Sequence, residues 1–172
     1  MLTITRHADP GEHGDVTLTL SYELRSKTRL RTRSADGEDV AIFLPAGSPP
    51  LADGDRLQAN DGRVVRVCAQ PEALLHVSAI NPRELNRAAY HLGNRHVPVQ
   101  VGEGWLRLGA DSVLQGMLEQ LGMLVQPLLA PFQPESGAYG GGHHHSHGKD
   151  SAFQYAPRLH QFRRDGSPDD GT

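Results

Sequence analysis

Apolar and polar positions alternate along the first 69 residues. Leu2-Thr3-Ile4-Thr5 and Val16-Thr17-Leu18-Thr19-Leu20 step with a period of two and are rich in β-branched residues, a strand pattern. Arg29 to Arg33 faces Val40 to Leu44 across the turn signal Asp36-Gly37. Leu57 to Ala59 and Arg63 to Val67 flank a second turn, Asp61-Gly62. Short strands with frequent turn signals predict a small all-β sandwich or barrel over residues 1–69.

The period changes near Gln70. Ala73 to Ile80 is an apolar run that reads as a buried strand. Asn81-Pro82-Arg83-Glu84 then supplies a helix start, with Asn as cap, Pro in the first turn and Glu at the third position. Leu85, Ala88, Ala89 and Leu92 line one helical face, and Gly93 is the expected stop. Val97 to Val101 and Trp105 to Leu108 read as a hairpin. Asp111 caps a second helix with Leu114, Met117, Leu118 and Leu121 on its apolar face, ended by Gly122. Leu124 to Phe132 forms a last strand, which Pro127 and Pro131 force to an edge or a break.

The order β-α-β-β-α-β over residues 70–134 is the ferredoxin-like, split βαβ arrangement. From Gln133 on, Gly, Pro, Ser, His and Asp dominate, so residues 135–172 are expected to form a flexible tail. The predicted fold is mixed α/β: an all-β domain (1–69), a ferredoxin-like domain (70–134) and a histidine-containing tail (135–172).

Composition narrows the function. Hydrophobic residues make up 37% and aromatics 5%, so the cores are aliphatic. A formal charge of −3 and a pI near 6.3 argue against a nucleic-acid partner. The single cysteine, Cys68, fits a reducing compartment. The amino terminus carries early charges and no apolar core of a secretory signal, and no stretch has the ~18 apolar residues of a membrane span. A soluble cytoplasmic protein is expected.

The candidate chemistry is imidazole. Four of ten histidines, His143, His144, His145 and His147, follow the run Gly140-Gly141-Gly142. Imidazole suits borderline divalent ions such as nickel, copper and zinc. The interruption at Ser146 and the 25 residues beyond His147 favour a native metal-binding tract over an expression tag. His96 lies past the first helix stop, at the mouth of the next strand, and His91 sits on the polar side of that helix. Five residues separate them, which is not the i, i+4 spacing of a helix-borne metal pair. His160 lies in the tail, apart from the cluster. His7, His13 and His76 are isolated, and Cys68 reads as a small packing residue.

The segment Tyr90 to Gln100, with its core Gly93-Asn94-Arg95-His96, resembles the signature of the urease accessory nickel metallochaperones (UreE). The similarity extends to the β-rich first half, the stretch Asp111 to Gly122 and the histidine-bearing tail. The resemblance implies that His96 binds nickel with its symmetry mate at a two-fold dimer interface. It also implies that tail histidines, His143 to His147 as a set, complete the coordination. His91 and His160 are weaker candidates. Some family members carry extra histidines at positions that match Ala110 and Ser112, so no peripheral site is expected there. The implied protein is a homodimer through residues 70–134, with a dimer of dimers in the presence of metal as a further implied form. It would deliver Ni2+ to a urease activation complex that includes an accessory GTPase.

The physics is coherent. A two-fold axis makes two ligands of one residue, and individually weak ligands allow release as well as capture. Zn2+ or Cu2+ could also bind, since affinity alone favours copper over nickel. A general divalent-metal buffer is the competing reading. A metal-dependent hydrolase is the enzyme alternative, but the chain has no His-Glu-x-x-His and no base beside His96.

Overall fold

The computed structural model describes residues 1–9, 14 and 16–136. Among the described residues ten strands form two sheets. The first takes β1 (Leu2–His7), β2 (Val16–Leu20), β3 (Arg29–Arg33), β4 (Asp39–Phe43), β5 (Arg56–Ala59) and β6 (Val64–Ala69), in the order β2-β6-β5-β1-β4-β3. The alternation places Leu2, Ile4, Leu18, Leu20, Val40, Ile42, Leu57, Val65 and Val67 in one buried cluster. Both expected hairpins form: Arg29 pairs with Phe43 and Arg33 with Asp39, and Arg56 pairs with Arg66.

Strand alternation leaves three features of this half unspecified. The sheet is mixed, because β1 runs parallel to β4 and β2 parallel to β6. It is also a single sheet around one core, which disfavours the sandwich and leaves the barrel of the two expected forms. Its end strands meet at one corner, where the Ala35 N–H donates to the Thr17 carbonyl at 2.9 Å. Nor is this half all β. Between β2 and β3 lies a one-turn helix, α1 (Tyr22–Arg25), capped by Ser21. Too short to show a helical period, it escapes a reading by periodicity.

The second sheet takes β7 (Pro71–Ser78), β8 (Gln100–Gly102), β9 (Trp105–Gly109) and β10 (Leu124–Pro131), in the order β10-β7-β9-β8, with every neighbouring pair antiparallel. α2 (Pro82–Gly93) joins β7 to β8, and α3 (Ser112–Gln120) joins β9 to β10. Both helices cover the same sheet face: Ala88 and Leu92 of α2 and Leu118 of α3 are buried with Leu75, Val77, Leu106 and Leu108. As its prolines require, β10 is an end strand. β8 is shorter than expected, because Val97 to Val99 remain outside the ladder.

Arg25 joins the two sheets. Its side chain is buried and donates to the carbonyls of Leu51 and Phe132 and to Gln133 Oε1, with 2.7 Å to Leu51 and 2.8 Å to Gln133. Tyr22 stacks edge-on against Phe132, and its N–H donates to Glu72 at 2.6 Å. Burial lowers the Arg25 pKa from its ordinary value, and nearby Glu72 and Asp53 oppose that shift. The expected tail lies outside the described residues, except for its first two. Among the described residues no helix is long and apolar enough to cross a membrane.

Candidate metal centre

The centre is built from the end of α2. Asn81 starts the helix, its side chain accepting from the Arg83 N–H at 2.9 Å, with Pro82 in the first turn. The apolar face then holds the helix on the sheet through Ala88 and Leu92. Leu92 also closes the helix. Its carbonyl accepts from the Val97 N–H at 3.2 Å, and the Gly93 carbonyl accepts from the His96 N–H at 2.9 Å. These are the paired bonds of a Schellman turn, with Val97 folding back onto the Leu92 cluster.

That turn needs a left-handed residue before Val97. The residue is His96, at φ 54°, the only non-glycine with positive φ among the described residues. The expected stop, Gly93, does not take this role: it ends the helix with ordinary dihedrals. Left-handed geometry costs an ordinary L-residue about 1–2 kcal/mol. The His96 side chain is exposed, and its imidazole has no hydrogen-bond partner among the described residues. A left-handed backbone and an uncommitted side chain together make His96 the candidate of this region.

His91 is half-buried on the last turn of α2, its ring 5.5 Å from that of Tyr90, and its carbonyl accepts from Arg95 at 3.2 Å. His143, His144, His145, His147 and His160 lie outside the described residues, as does His13. Among the described residues no three His, Cys, Asp or Glu side chains converge to hold a metal ion. Ligands beyond those residues, or from another chain, would therefore have to join His96.

Two features of the surroundings were not expected. The flank of α2 is apolar and open: Ile80 is 94% exposed, Tyr90 67% and Val101 54%, beside a cleft of about 380 Å³ lined by Leu85, Ala89 and Leu106. The chain leaving β10 returns to this region, where the Glu135 N–H donates to the Val99 carbonyl at 2.9 Å and the Gln133 N–H to Gln100 Oε1 at 3.2 Å.

The other histidines are placed elsewhere. His76 stands on the sheet face away from the helices, 5.5 Å from the Trp105 ring, with Arg107 donating to its Nδ1 at 3.4 Å. Ala110 and Ser112 flank Asp111, whose carboxylate caps α3 through the N–H groups of Val113 and Leu114. Cys68 is half-buried on β6, opposite Thr19.

Comparison with known proteins bears on the whole chain. Residues 3–70 match the family model of the UreE urease accessory protein, N-terminal domain, and residues 72–161 match that of its C-terminal domain. A urease accessory protein UreE of Pseudomonas fluorescens (strain Pf0-1) is 64% identical over 162 residues, covering 94% of this chain and 98% of the relative. Proteins of the same name from Azotobacter vinelandii and Ectopseudomonas mendocina are 61% and 59% identical over the same shares. This chain belongs to the UreE urease accessory protein family.

Proposed function

We propose that this protein is a nickel metallochaperone that delivers Ni2+ for assembly of the urease metallocentre, and is not itself an enzyme. The observation that carries the reading is His96, a histidine kept at a left-handed position with its imidazole free. Family membership and the relatives' name, urease accessory protein, support a role in urease maturation.

In this reading His96 and its symmetry mate grip one ion at a homodimer interface formed by residues 70–134, read as a ferredoxin-like domain. The exposed apolar flank of α2 supports a second copy there, since isolated monomers rarely leave such a patch open. The order βαββαβ supports the fold reading. Tail histidines His143, His144, His145 and His147 complete the coordination, with His91 and His160 as secondary ligands. The anchoring of Glu135 on Val99, three residues from His96, supports a tail that starts near the ion. Residues 1–69 serve as the partner-binding half, toward the urease activation complex and its GTPase, in the cytoplasm. A lone imidazole holds nickel weakly, so the ion can be passed on; Zn2+ and Cu2+ compete for the same ligands.

Nickel calorimetry on the intact protein and on His96→Ala tests this. The substitution is expected to remove the tightest binding event and leave weaker binding by the tail. Because metal needs neutral imidazole, the tight event should weaken on acidification. Unchanged tight binding in His96→Ala overturns the assignment. Loss of nearly all capacity on removing residues 135–172 would favour a metal buffer instead.

A further inference from the structure

β3 is an end strand, and its charges are concentrated. Residues 29–33 hold three of the chain's 17 lysines and arginines, although the chain as a whole is acidic. Arg29, Arg31 and Arg33 are exposed, while Leu30 packs against the core and Thr32 is half-buried, so the arginines share the outer sheet face. Arg33 is paired with Asp39 at 3.0 Å. Among the described residues Arg29 and Arg31 have no carboxylate partner.

The ladder fixes which backbone groups are free. The Leu44 N–H donates to the Thr28 carbonyl at 2.7 Å and the Ser34 N–H to the Glu38 carbonyl at 2.9 Å. Hydrogen-bonded pairs alternate in an antiparallel ladder, so Leu30 and Thr32 turn their backbone groups to β4. The N–H and C=O groups of Arg29, Arg31 and Arg33 point away from the sheet. The Ala35–Thr17 bond closes the corner beyond Arg33, which leaves the Arg29–Arg31 stretch as the open part of the edge. Phe43, directly opposite Arg29 on the same face, is 43% exposed and extends that surface.

We propose that this edge takes an added β-strand from an acidic segment of a partner protein, with carboxylates at alternate positions facing Arg29 and Arg31. A strand that pairs with the outward backbone groups places every second side chain on the arginine face. A carboxylate directly opposite an arginine is then close enough to pair with it. The same charges reject a second copy of β3, because like charges would meet across the join. The proposal deepens the reading of residues 1–69 as the partner-binding half and names the partner's chemistry.

The test is fluorescence anisotropy with the full-length protein and a short labelled peptide of alternating Glu and Thr. The parent protein is expected to bind it. It should bind a peptide of the same composition with its glutamates in one block more weakly, and a peptide N-methylated on its pairing amides more weakly still. Arg29→Glu/Arg31→Glu should bind the alternating peptide at least about tenfold more weakly, since attraction becomes cross-strand repulsion. Both arginines are exposed, and a melting curve checks that the variant folds. If it does not, the N-methylated peptide decides on the parent protein alone. No binding, equal binding of the N-methylated peptide, unchanged binding by the folded variant, or tighter binding of a single-stranded oligonucleotide overturns the proposal. None of these measurements contains nickel, so their failure leaves the reading of His96 untouched.

Discussion

α2 and α3 end in the same turn but fill it differently. At the end of α3 the Met123 N–H donates to the Leu118 carbonyl at 3.0 Å and the Gly122 N–H to the Glu119 carbonyl at 2.9 Å. At the end of α2, Val97 and His96 make the matching bonds to Leu92 and Gly93. Both turns fold an apolar residue back onto one core, and both need a left-handed residue before it. α3 uses glycine there, at φ 85°, whereas α2 uses His96, at φ 54°. Glycine meets no Cβ clash in this region, and histidine does. The pair thus separates what the backbone prefers from what the side chain is kept for.

The largest effect expected from this comparison is on metal. His96→Gly gives α2 the residue that α3 already has and removes the imidazole. Nickel calorimetry should show the tightest event weakened at least about a hundredfold, equivalent to about 2.7 kcal/mol. Retained tight binding would mean that the left-handed histidine has another purpose. Next is the converse exchange. Gly122→His places a side chain where none is used, and should destabilise the fold by about 1–2 kcal/mol in denaturant titration. No loss would show that this turn tolerates side chains and that His96 is unstrained.

His96→Gly should also gain stability, by up to about 1 kcal/mol, seen as a rise of roughly 2–4 °C in Tm for a chain of this size. A variant that binds less and melts later would sharpen the contrast most directly. The smallest effect lies away from both turns and sets the scale for a surface change. The Arg63 side chain donates to Glu38 at 2.9 and 3.0 Å and holds that carboxyl below its ordinary range; Asp61 is lowered first by the Arg63 backbone N–H at 3.1 Å and then by the side chain at 2.8 Å. Groups lowered in this way stabilise the fold above their unfolded values near pH 4, and that contribution fades as pH falls through the lower folded values. The stability difference between the parent and Arg63→Met should therefore be present at pH 7 and shrink on acidification. A difference that does not change with pH would assign the effect of Arg63 to packing.

Much of the second sheet was legible because its signals are local. Asn81 and Asp111 cap the helices as their side chains dictate, and Pro127 and Pro131 lie on an end strand because they lack the N–H a central strand needs. The first sheet was less legible. Its hairpins follow from turn residues, but the parallel pairings of β1 with β4 and β2 with β6 join distant segments that no local period links. The burial of Arg25 has no local signal in sequence, because it depends on acceptors more than 100 residues away.

At the candidate centre, His96 is legible from its motif and not from its conformation. The sequence does carry the clue. Leu92 and Val97 have the same spacing as Leu118 and Met123, and the residue before the second apolar position is Gly122 in one case and His96 in the other. Gly93 masks that clue, because glycine so often ends a helix.

The buried Arg25 also bears on how the molecule comes apart. A guanidinium stays charged at any ordinary pH. Separating β10 from the first sheet while both stayed folded would strip Arg25 of its contacts with the Phe132 carbonyl and Gln133. Those charge-assisted bonds, together with the Tyr22–Phe132 ring contact, tie the two sheets and disfavour such a half-open state. The two sheets are therefore expected to share one unfolding transition, with heat or denaturant melting residues on either side of Gln70 together.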